Sequence, residues 1–201
     1  RFQVQIEVAD SLSALGEVAV SGQVLDPTGV PATDYQGQVW LQAFDSTVQS
    51  RLDGFTYRQI GAHIFRGRFA VVDGRFAAEF RVPKDITYGG TAGRISAYVW
   101  SDAQPAAFGV ADRLVLSGTA EGVETDLEGP EISLRFAGSS GNTIPRQTTL
   151  LATITDPSGI NITGETGHAI ELVIDGELFI LTNFYSVQEG DYRQGVIEFP
   201  L

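Results

Sequence analysis

Apolar and polar residues alternate along most of the chain in short runs, and glycine, proline, aspartate and asparagine separate these runs. A period of two residues places every second side chain on the same face of a β-strand. The period of 3.6 residues that indicates an amphipathic helix is almost missing. The sequence therefore predicts an all-β fold of short strands joined by tight turns, as in a β-sandwich.

Residues 1–120 contain about seven predicted strands, which is the number in a typical immunoglobulin-like (Ig-like) sandwich. Turn signals such as DPTG at Asp26–Gly29 separate these strands. We therefore expect residues 1–120 to form one Ig-like β-sandwich domain. The predicted strands are the opening RFQVQIEV, Val18–Asp26, Gly37–Asp45, the two halves of Phe65–Ile86, Gly93–Trp100 and Asp112–Gly118.

A change in composition after residue 119 predicts a domain boundary. The stretch TAEGVETDLEGPE is rich in acidic residues, glycine and proline and has no aromatic residue, so residues 121–130 are predicted to be a linker. A second series of alternating runs follows, and we expect residues 131–201 to form a second Ig-like sandwich. Its predicted strands are Glu131–Phe136, Thr148–Asp156, His168–Asp175, Glu177–Phe184 and Gly195–Leu201.

The stretch FRGRFAVVDGRFAAEFRVPKDI, Phe65–Ile86, places basic residues between phenylalanines, as a nucleic-acid site would. Asp73-Gly74 between two alternating runs predicts a β-hairpin instead. In that register the aromatic and basic side chains lie on opposite faces, with Arg68 opposite Glu79, whereas single-strand binding needs both on one surface. We therefore predict a hairpin with a core-facing apolar side and no nucleic-acid site. The apolar face consists of Phe65, Phe69, Val71, Phe76, Phe80 and Val82, and the solvent face of Arg66, Arg68, Arg75, Glu79 and Arg81.

Charge and composition exclude several kinds of chemistry. The net charge of −12 disfavours binding to nucleic acid and to anionic membranes, and no run of 18 apolar residues predicts a membrane span. The absence of cysteine excludes disulfides, thiolate catalysis and cysteine-based zinc sites. His63 and His168, the two histidines, lie far apart in the sequence. We therefore predict no catalytic, cofactor or metal site on this chain.

Acidic residues concentrated in and near the linker give one alternative, because carboxylate oxygens are the ligands that calcium prefers. The interleaved Asp and Asn spacing of calcium loops is missing, so a solvated acidic linker is the favoured interpretation. The residues concerned are Glu121, Glu124, Asp126, Glu128 and Glu131, with Asp156 at the end of a later strand.

Other side chains also have a functional and a structural interpretation. A general base at His168 would need a nucleophile and an orienting group nearby, so a hydrogen bond to local backbone is favoured. Asn161–Thr163 fits the glycosylation sequon, a short pattern that often occurs by chance. Four large aromatic residues could form a surface on which sugars stack, although packing in the core is favoured. They are Trp40, Phe44, Tyr98 and Trp100.

An ordered set of stretches also resembles a known family. The stretches are VAVSGQVLDPTG, YQGQVWLQAFD, the predicted hairpin, GRISAYVWSD, TDLEGPEISL, LLATITDPSGINITGETGHAIELVIDG and YRQGVIEFPL. In this order they resemble the Ig-like region that follows the catalytic domain in the PorU-like sortases of the type IX secretion system. These sortases are gingipain-like cysteine peptidases of Bacteroidetes. The resemblance extends from about Val18 to Leu201.

The resemblance implies a non-catalytic role for this chain. In such proteins the preceding peptidase domain supplies the catalytic cysteine and histidine, cleaves C-terminal sorting domains from secreted cargo and transfers cargo to an amine. No catalytic residue of the family can be placed on a chain without cysteine. The resemblance also implies that the chain is part of a longer polypeptide. The second sandwich would then continue past Leu201, and its last strand here would be left with an exposed edge.

We therefore expect an accessory region on the extracellular face of the bacterial outer membrane. Its expected partners are the preceding peptidase domain and secretion-system components or cargo. The alternative is a stand-alone surface adhesin or carbohydrate-binding β-sandwich module, which the fold class and the aromatic content suggest.

Overall fold

The computed structural model describes residues 1–87, 92–123, 126–140, 143–164, 167–188 and 190–201. These residues form sixteen β-strands and one turn of 3₁₀-helix, Thr182–Phe184, which confirms the all-β fold. None of the described helices is long and apolar enough to cross a membrane. The strands are β1 (Gln3–Glu7), β2 (Ser11–Ala14), β3 (Glu17–Leu25), β4 (Gly37–Phe44), β5 (Val48–Leu52), β6 (Phe55–Gln59), β7 (His63–Val71), β8 (Arg75–Arg81), β9 (Gly93–Trp100), β10 (Ala107–Thr119), β11 (Glu131–Phe136), β12 (Thr149–Thr155), β13 (Glu171–Ile174), β14 (Glu177–Ile180), β15 (Tyr185–Gln188) and β16 (Asp191–Pro200).

Alternation of apolar and polar residues located most strands, and β9 and β11 have the predicted bounds. Strands β2, β15 and the hairpin β5–β6 were missed. The β5–β6 hairpin forms a two-stranded sheet of its own and is exposed on both faces, so it has no buried face to impose alternation. Its turn, Asp53-Gly54, has φ of 47° and 88°, and this dipeptide is the sequence signal that could have located it.

Strands β1–β4 and β7–β10 form two layers around a common core. The order in the sheet is β7-β4-β9-β10-β1-β3-β8, with β2 attached to β10, so β7 and β8 lie at opposite ends of this order. Nevertheless, the rings of Phe65 on β7 and Phe80 on β8 stack with their centroids 4.5 Å apart. Strands so distant in the sheet order can touch in this way because the sheet folds over on itself, as in a sandwich. The apolar core lies between the layers and includes Val20, Val24, Tyr35, Val39, Leu41, Phe65, Phe69, Val71, Phe80, Ile95 and Val99.

The predicted β7–β8 hairpin is correct in its turn and wrong in its strand pairing. Asp73 and Gly74 form the expected turn, with φ of 51° and 71°, and Val72 pairs with Arg75. Beyond that bridge the strands separate, because the Gly74 N–H donates to the Tyr35 carbonyl and the Gly74 carbonyl accepts from the Val24 N–H. Strand β7 then pairs with β4, and β8 pairs with β3.

This separation changes which residues lie opposite each other on neighbouring strands. It does not change the burial of the predicted apolar face. Arg68 lies opposite Trp40 and Glu79 lies opposite Ala19, so the predicted pair of Arg68 with Glu79 is wrong. The predicted apolar face is buried as expected, although its members meet across the sandwich and not side by side in a hairpin. These buried residues are Phe65, Phe69, Val71, Phe76, Phe80 and Val82.

Strands β11, β12, β16 and β15 continue the same sheet beyond β7, and β13–β14 form a separate hairpin. The connection is a parallel bridge between Val187 of β15 and Gly67 of β7. Strand β16 pairs with both β12 and β15, so the expected exposed edge does not lie at the last strand. The edge strand at this end of the sheet is β11, which follows the proposed linker. The division into two Ig-like domains stays a prediction.

Candidate functional site

The large aromatic side chains of β4 and β9 lie on the outer face of the sheet. The inward positions carry smaller aliphatic side chains, such as Val39 and Leu41, which are fully buried. Tyr98 is 49% exposed, and Trp40, Phe44 and Trp100 are partly exposed. The favoured prediction that these four residues pack in the core is therefore wrong. Alternation fixed which of them share a face. The choice of face depends on core volume, which the phenylalanines of β7 and β8 already fill.

Strand register aligns part of this outer face into a row. Arg68 lies opposite Trp40, Trp40 opposite Tyr98, and Tyr98 opposite Phe108 of β10, which is 43% exposed. The ring of Trp100 stacks near that of Tyr98, with centroids 6.1 Å apart and planes inclined by 22°. Trp40, Tyr98, Trp100 and Phe108 are called the aromatic face below. It runs across the three adjacent strands β4, β9 and β10 and faces solvent.

A cleft of about 310 Å³ adjoins the Trp40 end of the aromatic face. It exists because β15 extends the sheet beside β7. Strands from both halves of the chain, β1–β10 and β11–β16, therefore border it. We call it the junction cleft. It combines an indole, a guanidinium, a hydroxyl and a carboxylate with apolar walls. Its lining consists of Trp40, Arg68, Phe184, Ser186, Val187, Val196 and Glu198.

Arg66 joins the two halves of the chain. Its side chain is buried, and Nη1 donates hydrogen bonds to the carbonyl oxygens of Asn183 at 2.6 Å and Tyr185 at 3.4 Å. Burial lowers the pKa of the Arg66 guanidinium. The prediction that Arg66 lies on a solvent face is wrong, because the 3₁₀ turn and β15 cover this position of β7. Alternation assigned the correct face but could not reveal this cover.

Apolar side chains from both halves surround the Arg66 contact. Tyr185 is 1% exposed, and burial raises the pKa of its hydroxyl well above the ordinary value. Nearby, the Tyr192 hydroxyl donates to Glu17 Oε1 at 2.7 Å, a bond between the last strand and β3. The two halves therefore contact each other through a buried core as well as through the sheet. The residues that meet in this buried contact include Ile64, Phe65, Phe80, Ile160, Ile162, Tyr185, Val187 and Tyr192.

The acidic linker is attached to the C-terminal half through Asp126. Ser158 Oγ donates to Asp126 Oδ2 at 2.6 Å and accepts from Arg81 Nη1 at 3.2 Å. The Ser158 hydrogen bond is the main cause of the lowered pKa of Asp126, whereas burial raises the pKa of Asp156. Within the described ranges, no three acidic or histidine side chains group as a metal site. Glu124 lies outside the described residues, and calcium binding stays a hypothesis.

His168 contacts a carboxylate from the other half of the chain. Its Nε2 lies 3.0 Å from Asp85 Oδ2, which also accepts a hydrogen bond from Asn161 Nδ2 at 3.2 Å. The contact found for His168 is thus with Asp85. The prediction had been a hydrogen bond to local backbone. Ser158 and His168 line one cleft of about 340 Å³, but the Ser158 hydroxyl donates its hydrogen bond to Asp126. Acyl transfer needs the hydroxyl to donate to the imidazole, so these contacts are not those of a nucleophile–base pair.

The pH dependence of folding stability tests how His63 packs on the outer face of the sheet. Its ring packs on Phe44, and Gln42 Nε2 donates to His63 Nε2 at 3.0 Å. Burial, and secondly the charge of Arg66, lowers the pKa of His63 from 6.5 to about 4. As the pH falls below 6.5, His63 binds a proton in the unfolded chain, whereas in the folded chain it stays neutral until the pH approaches 4. Folding stability due to His63 is therefore lost between pH 6.5 and 4, by about 2 kcal/mol after allowance for partial exposure.

Urea unfolding of wild type and His63→Gln at pH 7 and pH 4.5 measures this loss. We expect the drop in stability to be smaller in the variant by that amount. The carboxylates titrate in both proteins, so their contribution cancels in the comparison. An equal drop in wild type and His63→Gln would show that His63 is solvated.

Comparison with known proteins gives one informative similarity. No protein-family model matches the chain, and no curated protein sequence matches it. A solved structure described as dimeric latent PorU from Porphyromonas gingivalis is similar to 100% of this chain, with 27% identity and a TM-score of 0.60. The match covers 21% of the PorU chain, so this chain spans about a fifth of that length. The whole chain thus resembles one region of PorU.

Two other similarities are more distant. Spo0M, a sporulation control protein from Bacillus subtilis, is 14% identical with a TM-score of 0.43 over 88% of this chain and 76% of its own. The alpha-2-macroglobulin of E. coli is 11% identical with a TM-score of 0.42 over 100% of this chain and 14% of its own. At these values neither similarity carries a conclusion about this chain.

Proposed function

We propose that the chain is a non-catalytic accessory region of a surface cysteine peptidase resembling the type IX secretion sortase. The observation that carries this proposal is the similarity to PorU over the full chain, at 27% identity and a TM-score of 0.60. Because the chain has no cysteine, a catalytic thiolate has to come from another part of the polypeptide. In this proposal a preceding peptidase domain cleaves C-terminal sorting domains from secreted cargo at the extracellular face of the bacterial outer membrane.

The contact between the two halves of the chain supports a positioning role. The Val187–Gly67 bridge, the buried Arg66 and the bond from Tyr192 to Glu17 fix β11–β16 against β1–β10. A flexible tether would have no need of a buried guanidinium, which is costly to desolvate. A rigid arm instead holds the peptidase domain at a set distance and angle from a secretion-system component or from cargo.

Deletion of this region from the native polypeptide tests the proposal. The polypeptide is first identified by its intact mass and peptides, which should include a peptidase domain with a cysteine and a histidine. Residues 1–201 are then deleted in frame, and a cysteine-reactive active-site probe checks that the peptidase domain remains folded. We expect normal probe labelling together with accumulation of cargo that keeps its sorting domain.

The control for this experiment replaces the catalytic cysteine of the peptidase domain by alanine, which should abolish both probe labelling and cargo cleavage. Normal cargo cleavage after the deletion would exclude a positioning role. A native polypeptide without a peptidase domain would exclude the sortase-like assignment and favour the second candidate.

The second candidate is a stand-alone adhesin or carbohydrate-binding module. The observation that favours it is the aromatic face, which lies on the outer side of the sheet, although Trp40, Tyr98 and Trp100 were expected in the core. The two candidates differ in the presence of the peptidase domain, which the intact mass decides.

A further inference from the structure

We infer that the aromatic face and the junction cleft together bind a neutral oligosaccharide. The inference goes beyond the accessory role and does not depend on it, since a sugar site can serve a peptidase or a stand-alone module. It rests on three properties of this surface: the spacing of its rings, the polar groups at one end, and its local charge.

The spacing of the rings matches a chain of sugars. Trp40, Tyr98 and Phe108 occupy directly opposed positions on three adjacent strands. Neighbouring strands lie about 4.8 Å apart, so the row extends over about 10 Å, close to the length of two linked hexose rings. The apolar C–H face of a hexose can lie on an aromatic ring, because the ring face is negative and the C–H groups are weakly positive.

The junction cleft supplies the hydrogen bonds that stacking alone cannot provide. Arg68 donates, Glu198 accepts, and the Ser186 hydroxyl does both, so together they match the mixed donors and acceptors of sugar hydroxyls. These groups border Trp40, where the row meets the cleft. The cleft of about 310 Å³ is at the lower end of the range for small-molecule sites. It can therefore enclose a terminal sugar while the rest of the chain lies along the row.

Charge favours a neutral sugar over an acidic one. Arg68 and Glu198 offset each other in the cleft, and the chain as a whole has a net charge of −12. An anionic glycan would be repelled by this field. Polar Gln38, opposite Trp100 and next to Trp40 along the outer face, adds an amide that can bond to hydroxyls.

Glycan binding by the 201-residue chain tests the inference. An array of neutral and acidic oligosaccharides is screened first, followed by titration calorimetry with cellohexaose, maltohexaose and mannohexaose. We expect at least one neutral oligosaccharide to bind. Trp40→Ala and Tyr98→Ala should each weaken that binding about tenfold or more, as expected for loss of an aromatic anchor. Trp40→Phe and Tyr98→Phe keep a ring and should stay within a few-fold of wild type.

Phe55→Ala and Tyr57→Ala are the matched controls, because these exposed aromatic residues lie on the separate β5–β6 hairpin. They should bind the sugar as wild type does. Circular dichroism and thermal melting establish that each variant is folded, and Tyr98, half exposed, can be removed with little strain. The inference is overturned if no neutral oligosaccharide binds, if acidic glycans alone bind, or if folded Trp40→Ala and Tyr98→Ala variants bind normally.

Discussion

Replacing Phe80 by alanine is expected to lower the free energy of unfolding by about 3–5 kcal/mol. Phe80 is 1% exposed and stacks on Phe65, and it also borders the buried contact with Tyr185 and Val187. Its loss opens a cavity where both layers of the sandwich and the C-terminal strands meet. Single domains are stable by about 5–15 kcal/mol, so this one change removes a large part of the total.

Urea unfolding followed by tryptophan fluorescence measures the effect, with an unchanged slope as evidence that the folded state is otherwise intact. Phe55→Ala is the control, since Phe55 is 78% exposed and its removal should change stability by less than about 0.5 kcal/mol. A Phe80→Ala loss close to that of the control would mean that β7 and β8 do not face each other across a core.

Replacing Arg66 by alanine is expected to destabilise the protein by about 3 kcal/mol, because two hydrogen bonds from a charged donor are lost. The carbonyl groups of Asn183 and Tyr185 that accept these bonds lie in the contact between the two halves, where water cannot easily replace the guanidinium. Hydrogen exchange at residues 183–187 should become faster in the variant. Calorimetry should record the lower melting temperature.

Arg68→Ala is a closely matched control for Arg66→Ala. Arg68 lies two residues further along β7 on the same face, but its side chain is exposed, so we expect a change below about 0.5 kcal/mol. Arg66→Met keeps much of the aliphatic stem without the donors, and it separates lost packing from lost hydrogen bonds. Equal stability of Arg66→Ala and Arg68→Ala would contradict a buried contact between the halves.

The hydrophobic pattern located strands well where one face of the strand is buried. The bounds of β9 and β11 were predicted without error, and those of β3, β4 and β12 to within one residue. A turn that needs a positive φ was equally predictable: Asp73-Gly74 forms a turn where the dipeptide predicts one. These features are local, because alternation and turn chemistry depend on a few consecutive residues.

The candidate site was only half predictable. The sequence singled out Trp40, Tyr98 and Trp100 and grouped them by face, but it favoured the core for all of them. It did not single out Phe108, Ser186 or Glu198, which join them through strand pairing. Phe108 enters the row because β10 pairs with β9, and Glu198 enters the cleft because β15 and β16 extend the sheet beyond β7.

The sequence by itself determined an all-β fold, the positions of most strands and turns, and the absence of a catalytic thiolate. Tertiary structure decided which strands pair, which face is covered and which charge is buried. Arg66 and Arg68 show the difference, because they share a strand and a face, yet the 3₁₀ turn and β15 cover one and leave the other in solvent. Local patterns assign a side chain to a face. Contacts between residues more than 100 positions apart, such as Arg66 with Asn183, decide what lies against that face.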